Sequence, residues 1–315
     1  MKKKTVLLLG MLGLALLSGC GKSEEQKALR EEGIQAYQNN EYEKAEELFQ
    51  AVIEDTGLFF DEVEEDSALY LADSLEKQEK YTDAIKAYNI LISHKKKEAI
   101  YYNNRGNLFV KNNQIKKGIK DYKKAIELEE TNLEFYLNLY TAYQLEGEEE
   151  KGEPYLAKAK KQASEKEKKS YTYGKVLLYL GEYNEASNIL LNEVDKGNIE
   201  AYLYLGLCAS YEEDYEQAEE YYDAYLKEDA SNSFAYYQLI ETLLCNEKID
   251  DAYQLIKTAY EKGDDTYLKQ IKFQEIVVLE KKCQYKKAYA LAKKYVEEYK
   301  EDEKINKELI FLETR

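Results

Sequence analysis

From residue 26 onward, apolar and aromatic side chains recur three and four positions apart among polar ones, the spacing of amphipathic α-helices. The predicted helices come in pairs, and the pairs keep register. A small residue returns at Ala45, Ala84, Gly118, Gly152, Ala186, Ala218, Ala252 and Ala288, in steps of 39, 34, 34, 34, 32, 34 and 36. Three positions earlier stand Tyr42, Tyr81, Ile115, Glu149, Tyr183, Tyr215, Ile249 and Tyr285. Four positions later stand Phe49, Tyr88, Tyr122, Leu156, Leu190, Tyr222, Ile256 and Ala292. Twelve positions earlier a second small residue appears in five of the eight cases: Gly33, Ala72, Gly106, Gly174 and Gly206. Small side chains are needed where helix axes approach closely, and flanking aromatics fill the space that remains. A two-helix unit repeated at this period builds a stacked array in which neighbours close each other's core. The expected fold class is all-α.

The register resembles the tetratricopeptide repeat family. Tyr202, Leu205, Gly206, Tyr215, Ala218, Tyr222 and Tyr225 follow its signature, and so do Tyr102, Gly106, Phe109, Gly118, Tyr122 and Ala125. The resemblance implies a helical-hairpin solenoid, a right-handed superhelix, with repeats at 26–59, 65–98, 99–132, 133–166, 167–198, 199–232, 233–266 and 269–302. Over 303–315, Ile305, Leu309 and Leu312 share one helical face and predict a capping helix. Asn39-Asn40, Asn112-Asn113, Gly147 and Gly181-Glu182 mark turns inside the repeats. Repeat four departs from the pattern: it carries the only proline, Pro154, with Glu149 at an aromatic position and Tyr140 at a small one. Proline suits only the first helical turn, so this repeat's second helix is expected to start late, near Pro154. Residues 147–153 then become the weakest joint. Ile240 and Ile276, at the small position of repeats seven and eight, predict looser packing there.

The N-terminus carries a different signal. Lys2-Lys3-Lys4 precede an apolar run from Val6 to Leu17 that is too short to span a bilayer, and Leu17-Ser18-Gly19-Cys20 follow. Those four residues resemble a bacterial lipobox. The resemblance implies that residues 1–19 are a cleaved lipoprotein signal and that Cys20 is the first mature residue, carrying diacylglycerol. Two acyl chains give stable membrane attachment. Residues 20–25 are then a short spacer, and the protein sits on the extracytoplasmic face of the cell membrane. With the signal lysines gone, 42 basic residues face 62 acidic ones, a net −20 against −17 for the whole chain. Such a surface repels nucleic acid and anionic lipid.

Composition also bounds the chemistry. Apart from Cys20 there are three cysteines, Cys208, Cys245 and Cys283; the odd count and wide spacing argue against a disulfide framework or a zinc site, and each is expected to be a small buried hydrophobe. His94 is the single histidine, expected in a solvent-facing loop, so no Ser–His, Cys–His or multi-histidine centre is available. The mature chain has no glycine-rich phosphate loop. The expectation is a non-enzymatic protein with no metal and no cofactor beyond the lipid on Cys20.

In tetratricopeptide proteins the first helices of the repeats line a groove that holds partner peptides. Carried over by resemblance, the groove positions are Asn103 and Asn107, then Tyr171, Lys175 and Tyr179, then Tyr211 and Tyr237. Tyrosine suits such a surface, offering wide contact and a polar tip at low entropic cost. Asn107, Asn138 and Lys168 also fall at three of the five positions of the family's clamp for a peptide carboxylate, whereas Asn103 and Thr172 replace its other cations. Losing two cations weakens charge-assisted bonds. These residues are equally readable as solvated polar side chains on helix faces. The leading expectation is a membrane-anchored scaffold that holds a protein or peptide partner. Alternatives are a structural component of an envelope assembly complex and a solute-binding lipoprotein. The partner's identity and the oligomeric state stay open, since Leu137, Leu203 and Val277, expected to be exposed in the groove, can be covered by a partner or a second copy.

Overall fold

The computed structural model describes residues 24–54, 60–299 and 303–314. Cys20, the expected signal segment and most of the spacer lie outside them. Among the described residues there are seventeen α-helices, one 3-10 turn and no strand. They form two compact units that divide between Gln162 and Ala163. The first unit holds α1 (24–38), α2 (Tyr42–Glu54), α3 (Glu62–Lys77), α4 (Tyr81–His94), α5 (Ala99–Lys111), α6 (Ile115–Leu128), α7 (Leu133–Leu145) and α8 (Glu149–Gln162). The second holds the 3-10 turn Glu167–Lys169, then α9 (Tyr171–Tyr179), α10 (Tyr183–Asp195), α11 (Glu200–Tyr211), α12 (Tyr215–Glu228), α13 (Ser233–Cys245), α14 (Ile249–Lys262), α15 (Leu268–Lys281), α16 (Tyr285–Glu298) and α17 (Glu303–Glu313). Odd-numbered helices are the first of each hairpin and even-numbered helices the second, with α17 left over.

Every hairpin turns by the same device. One residue, seven positions after the small helix-A site, takes the left-handed conformation: Asn40, Glu79, Asn113, Gly147, Gly181, Glu213, Glu247 and Cys283, with φ between 54° and 77°. The next residue's N–H then reaches back five positions to a helix carbonyl. These bonds run from Glu41 to Ala36, Lys80 to Leu75, Gln114 to Phe109, Glu148 to Tyr143, Glu182 to Leu177, Asp214 to Ala209, Lys248 to Leu243 and Gln284 to Leu279, at 2.7–2.9 Å. This is the Schellman closure, which satisfies carbonyls that a helix end leaves without partners. Asparagine and glycine suit the left-handed region; glutamate and cysteine are held there against a steric cost.

Packing between the two helices of a hairpin rests on residues sixteen positions apart. Gly33 faces Phe49, Gly106 faces Tyr122 and Gly206 faces Tyr222 so closely that a Cβ on the glycine would lie 2.7, 2.7 and 2.5 Å from the ring. Repeat four inverts the sizes: Tyr140 occupies the helix-A site, Leu156 the site sixteen later, and a Cβ on Gly152 would come within 2.7 Å of the Tyr140 ring. Repeats seven and eight use Ile240 with Ile256 and Ile276 with Ala292, all fully buried. The two helices of each of these hairpins lie less closely against each other than those of repeats three and six, as expected for a branched residue at the small position.

The late start expected for the second helix of repeat four is corrected. Helix α8 begins at Glu149 and runs through Pro154. The Gly147 turn closes α7 in the register of every other hairpin, so α8 must start where its counterparts do. Pro154 forfeits one hydrogen bond near the helix start, and the fully buried Leu156 and Ala159 hold the helix in place. The cysteines split: Cys208 is buried, its thiol pushed up to about 11 chiefly by that burial, while Cys245 and Cys283 are exposed at the ends of α13 and α15. Leu137 and Leu203 are buried within their own units and need no cover. His94, exposed at the end of α4, stacks on Phe60 with ring centroids 4.4 Å apart.

At the C-terminal end, Ile305 and Leu312 of α17 join Ile276 and Leu279 of α15 and Ala292 of α16 in one cluster. Beside that contact, Glu280 shares a proton with Glu308 of α17. Desolvation, then the Glu308 hydrogen bond and charge, push Glu280 up to about 7.

Three measurements follow from this architecture. Gly206→Ile is expected to destabilise the second unit by about 3 kcal/mol through overpacking, and Tyr222→Ile added to it should recover most of the loss, reproducing the Ile240–Ile256 solution. Urea titration of both single variants and the double tests this; strictly additive losses would refute the exchange. Replacing Glu79, Glu213 or Glu247 by glycine should raise the unfolding free energy measured in urea, by up to about 1 kcal/mol each, whereas Gly147→Ala should lower it. Finally, Glu280 is raised in the folded state, so the shared proton stabilises α17 docking below the ordinary carboxylate range and its contribution is lost as pH rises through about 7. Amide exchange in α17 should accelerate between pH 5 and 8 beyond the intrinsic rate, and Glu280→Gln should flatten that dependence.

Candidate functional site

The first unit contains an open cavity of about 500 Å³ between the first helices of three successive hairpins. Helix α3 contributes Asp73 and Glu76, α5 contributes Asn104, Asn107 and Lys111, and α7 contributes Asn138, Thr141 and Leu145; the Tyr88 and Tyr122 hydroxyls reach in from α4 and α6. Asp73, Asn107 and Thr141 each directly follow the small-site residue of their helix (Ala72, Gly106 and Tyr140), so the repeat itself brings them to one wall. Asn104 and Asn138 lie one turn earlier, again in matching register.

The floor is a chain of directed hydrogen bonds. Asn138 Nδ2 donates to Asn103 Oδ1 at 2.9 Å, Asn103 Nδ2 donates to Asn104 Oδ1 at 3.2 Å, and Asn104 Nδ2 donates to the Tyr88 hydroxyl at 3.1 Å. Separately, the Tyr122 hydroxyl donates to Asn107 Oδ1 at 2.8 Å. These tyrosines are core residues: Tyr122 packs against Gly106 and Tyr88 lies in the α1–α5 core. Burial pushes both hydroxyls up, so they stay protonated and hold their places. Each amide is thus pinned at one end. Among the described residues no protein partner holds Asn107 Nδ2 or Asn138 Oδ1, and both side chains line the cavity.

Charge at the cavity is fixed by three side chains. Glu76 is paired with Lys111 at 2.6 Å. Asp73 accepts a short hydrogen bond from the Tyr37 hydroxyl, a neutral donor that leaves its charge in place. Asp121, almost fully buried beside the cavity, is held by Arg105 through two bonds of 2.7 and 2.8 Å and is neutralised.

The residues carried over by resemblance do not gather in one place. Asn107 and Asn138 line the cavity, and Asn103 lies buried beneath it as a relay between Asn138 and Asn104. Lys168 lies in the second unit on the 3-10 turn, paired with Glu165 at 2.7 Å. Thr172 borders a different cavity at the start of α9. The Lys175 ammonium rests over the rings of Tyr171, at 5.3 Å, and Tyr204, at 4.9 Å, while the Tyr171 hydroxyl donates to Glu200 at 3.0 Å. Tyr179 is half-buried near the end of α9. Tyr211 is exposed and stacks on Tyr183 at 5.4 Å, and Tyr237 stacks on Tyr267 at 5.7 Å. Among the described residues no cluster of three or more His, Cys, Asp or Glu is placed to hold a metal, and no helix is long and apolar enough to cross a membrane.

Comparison with known proteins agrees with this geometry. Two family models described as tetratricopeptide repeat match, one over 99–132 and one over 30–100 and 171–233, together more than half of the chain. The chain carries tetratricopeptide repeats. A tetratricopeptide repeat protein from Parabacteroides merdae is similar in structure, with a TM-score of 0.54 and 15% identity, over 93% of this chain and 100% of that one. A chain of the APC/C hetero-tetramer Cut9-Hcn1 gives 0.56 and 14%, over 89% of this chain and 54% of that one. In sequence, a Triticum aestivum Hsp70-Hsp90 organizing protein is 38% identical over 93 residues, which is 29% of this chain and 15% of that relative.

Reading tetratricopeptide positions one by one from the family clamp passes over Asp73, Glu76, Asn104, Lys111 and Thr141. The signal that finds most of them is the register: residues immediately after, or two before, the helix-A site of repeats two to four supply the wall of this cavity.

Proposed function

We propose that this protein is a membrane-anchored, non-enzymatic scaffold that holds a segment of a partner protein in the first-unit cavity. The observation that carries this reading is the pinned pair Asn107 and Asn138. One amide offers N–H and the other C=O, the two groups that every peptide unit of an extended chain needs. Because core tyrosines and neighbouring amides fix their orientation, little ordering is required on binding. A cavity of this size accommodates a few residues of a chain. The wheat relative, named for organizing Hsp70 and Hsp90, supports a role in bringing other proteins together. Leu17–Cys20, which resembles a lipobox, supports attachment through diacylglycerol on Cys20, with the partner then met at the extracytoplasmic face of the membrane.

Formaldehyde cross-linking in the native host, followed by purification of the lipidated chain, tests both parts. A defined partner should be recovered with the wild type and reduced at least about tenfold in Asn107→Ala/Asn138→Ala, the loss expected when two backbone hydrogen bonds and their preorganised groups are removed. Equal recovery in both would remove the cavity from the function. Cys20→Ser should abolish palmitate incorporation and release the chain from the membrane fraction; retention of either would overturn the anchor.

A further inference from the structure

Resting on that reading of the cavity, we infer that the first unit selects an extended segment with a basic side chain, lysine or arginine, and rejects a peptide carboxylate. Asp73 and Glu76 are three positions apart on α3 and share one face, so both carboxylates border the same cavity. The Tyr88 hydroxyl at the same cavity, raised chiefly by burial, is raised further by the charges of both. Lys111 is the one cation bordering the cavity among the described residues, and it is committed to Glu76. Asp73 receives only the neutral Tyr37 hydroxyl. The amides that define the floor carry no charge. The border therefore holds two carboxylates against one ammonium, in a chain of net charge −17.

A carboxylate entering this site exchanges water for two like charges and no unpaired cation, which costs desolvation and repulsion together. A lysine or arginine side chain meets Asp73 directly and shares Glu76 with Lys111, gaining charge-assisted bonds. The surplus of acid over the whole chain acts in the same sense at longer range and favours encounter with a basic partner. Asn107 and Asn138 grip the main chain, and the α3 carboxylates read one side chain of it. The division of labour places specificity on α3 and affinity on α5 and α7.

The test uses the full mature chain, immobilised, and pools of acetylated, amidated nonapeptides. Eight positions are randomised among uncharged residues and the central one is fixed as Lys, Arg, Ala or Glu; a further uncharged pool keeps a free carboxyl terminus. The Lys and Arg pools should be captured at least about tenfold better than the Glu and free-carboxyl pools, equivalent to one or two charge-assisted bonds. Asp73→Asn/Glu76→Gln should bring the Lys pool to within about twofold of the Ala pool. Lys111→Gln should raise capture of the Lys pool, a gain that misfolding does not imitate; Lys111 is largely exposed and its loss frees Glu76. Preference for the Glu or free-carboxyl pool, or equal capture of all pools, abolished in either case by Asn107→Ala/Asn138→Ala, would overturn the basic preference and leave the peptide site standing. Capture of no pool above the Asn107→Ala/Asn138→Ala background would overturn the peptide site, and this inference with it.

Discussion

How closely the two helices of a hairpin approach is set by the side chains between them. In this chain residues sixteen positions apart fill that space, and their sizes differ from repeat to repeat. Glycine or alanine faces a tyrosine or phenylalanine in repeats one, two, three and six; glycine faces leucine in repeat five; tyrosine faces leucine in repeat four; isoleucine faces isoleucine or alanine in the last two. Interiors packed to crystal density do not absorb an added side chain by loosening, so where glycine meets a ring nothing larger fits without displacing it. Repeat four shows the same limit. Its Tyr140 would not fit against an alanine at position 152, and the glycine there removes the one carbon that would collide. The common register of the cavity residues rests on these close contacts between the helices within successive hairpins.

The same tyrosines connect the core to the site. A buried phenol carries a ring that fills space and a hydroxyl that must find a partner, since an unsatisfied one costs roughly 1–3 kcal/mol. In repeats two and three the ring settles opposite Ala72 or Gly106, and the hydroxyl then reaches the groove side of the first helices, where it meets Asn104 or Asn107. The asparagine is oriented by the need to satisfy the tyrosine. In repeat six the corresponding Tyr222 hydroxyl lies 3.5 Å from Ser210, which in turn lies 3.2 Å from Thr242 of the following hairpin. Polar groups along the first helices are thus held by the residues that set the helix spacing, and a site built on them inherits the rigidity of the core.

How much of this is written in the sequence depends on which physical term decides each feature. The hairpins are legible because burial imposes a period, and a period survives substitution of individual residues. The turns at Asn40, Asn113, Gly147 and Gly181 are legible because those residue types favour the left-handed region, whereas Glu79, Glu213, Glu247 and Cys283 occupy the same conformation with no local preference for it. Tertiary register overrides propensity there, as it does at Pro154, which lies inside a helix whose start was fixed by the preceding turn. The glycine at 152 makes sense only beside Tyr140, twelve positions earlier, whose ring it admits, a contact that no consensus at either position reveals. Asn107 and Asn138 could be placed by resemblance, yet Asn103, Leu137 and Leu203, which share a register three before the small site, are buried. That register packs hairpin on hairpin, so side chains there are available to a ligand only in part.

The position immediately after the small site behaves differently, and the contrast explains how a repeat fold acquires specificity. Its side chain leaves the helix beside the close contact, and its identity varies from repeat to repeat. In the first unit it reads Asp73, Asn107 and Thr141 along three successive hairpins, an acid, an amide and a hydroxyl at regular intervals on one wall. In the second unit the same position carries Lys175, Leu207, Glu241 and Val277. Here the order is a cation held between tyrosine rings, a buried leucine, a carboxylate and a half-buried valine. The scaffold fixes where these side chains stand and the sequence at one register decides what they offer, so the two units present different chemistry from one architecture. What the first-unit cavity offers is then set by three residues and the amides between them, while stability is a property of the pairs behind them.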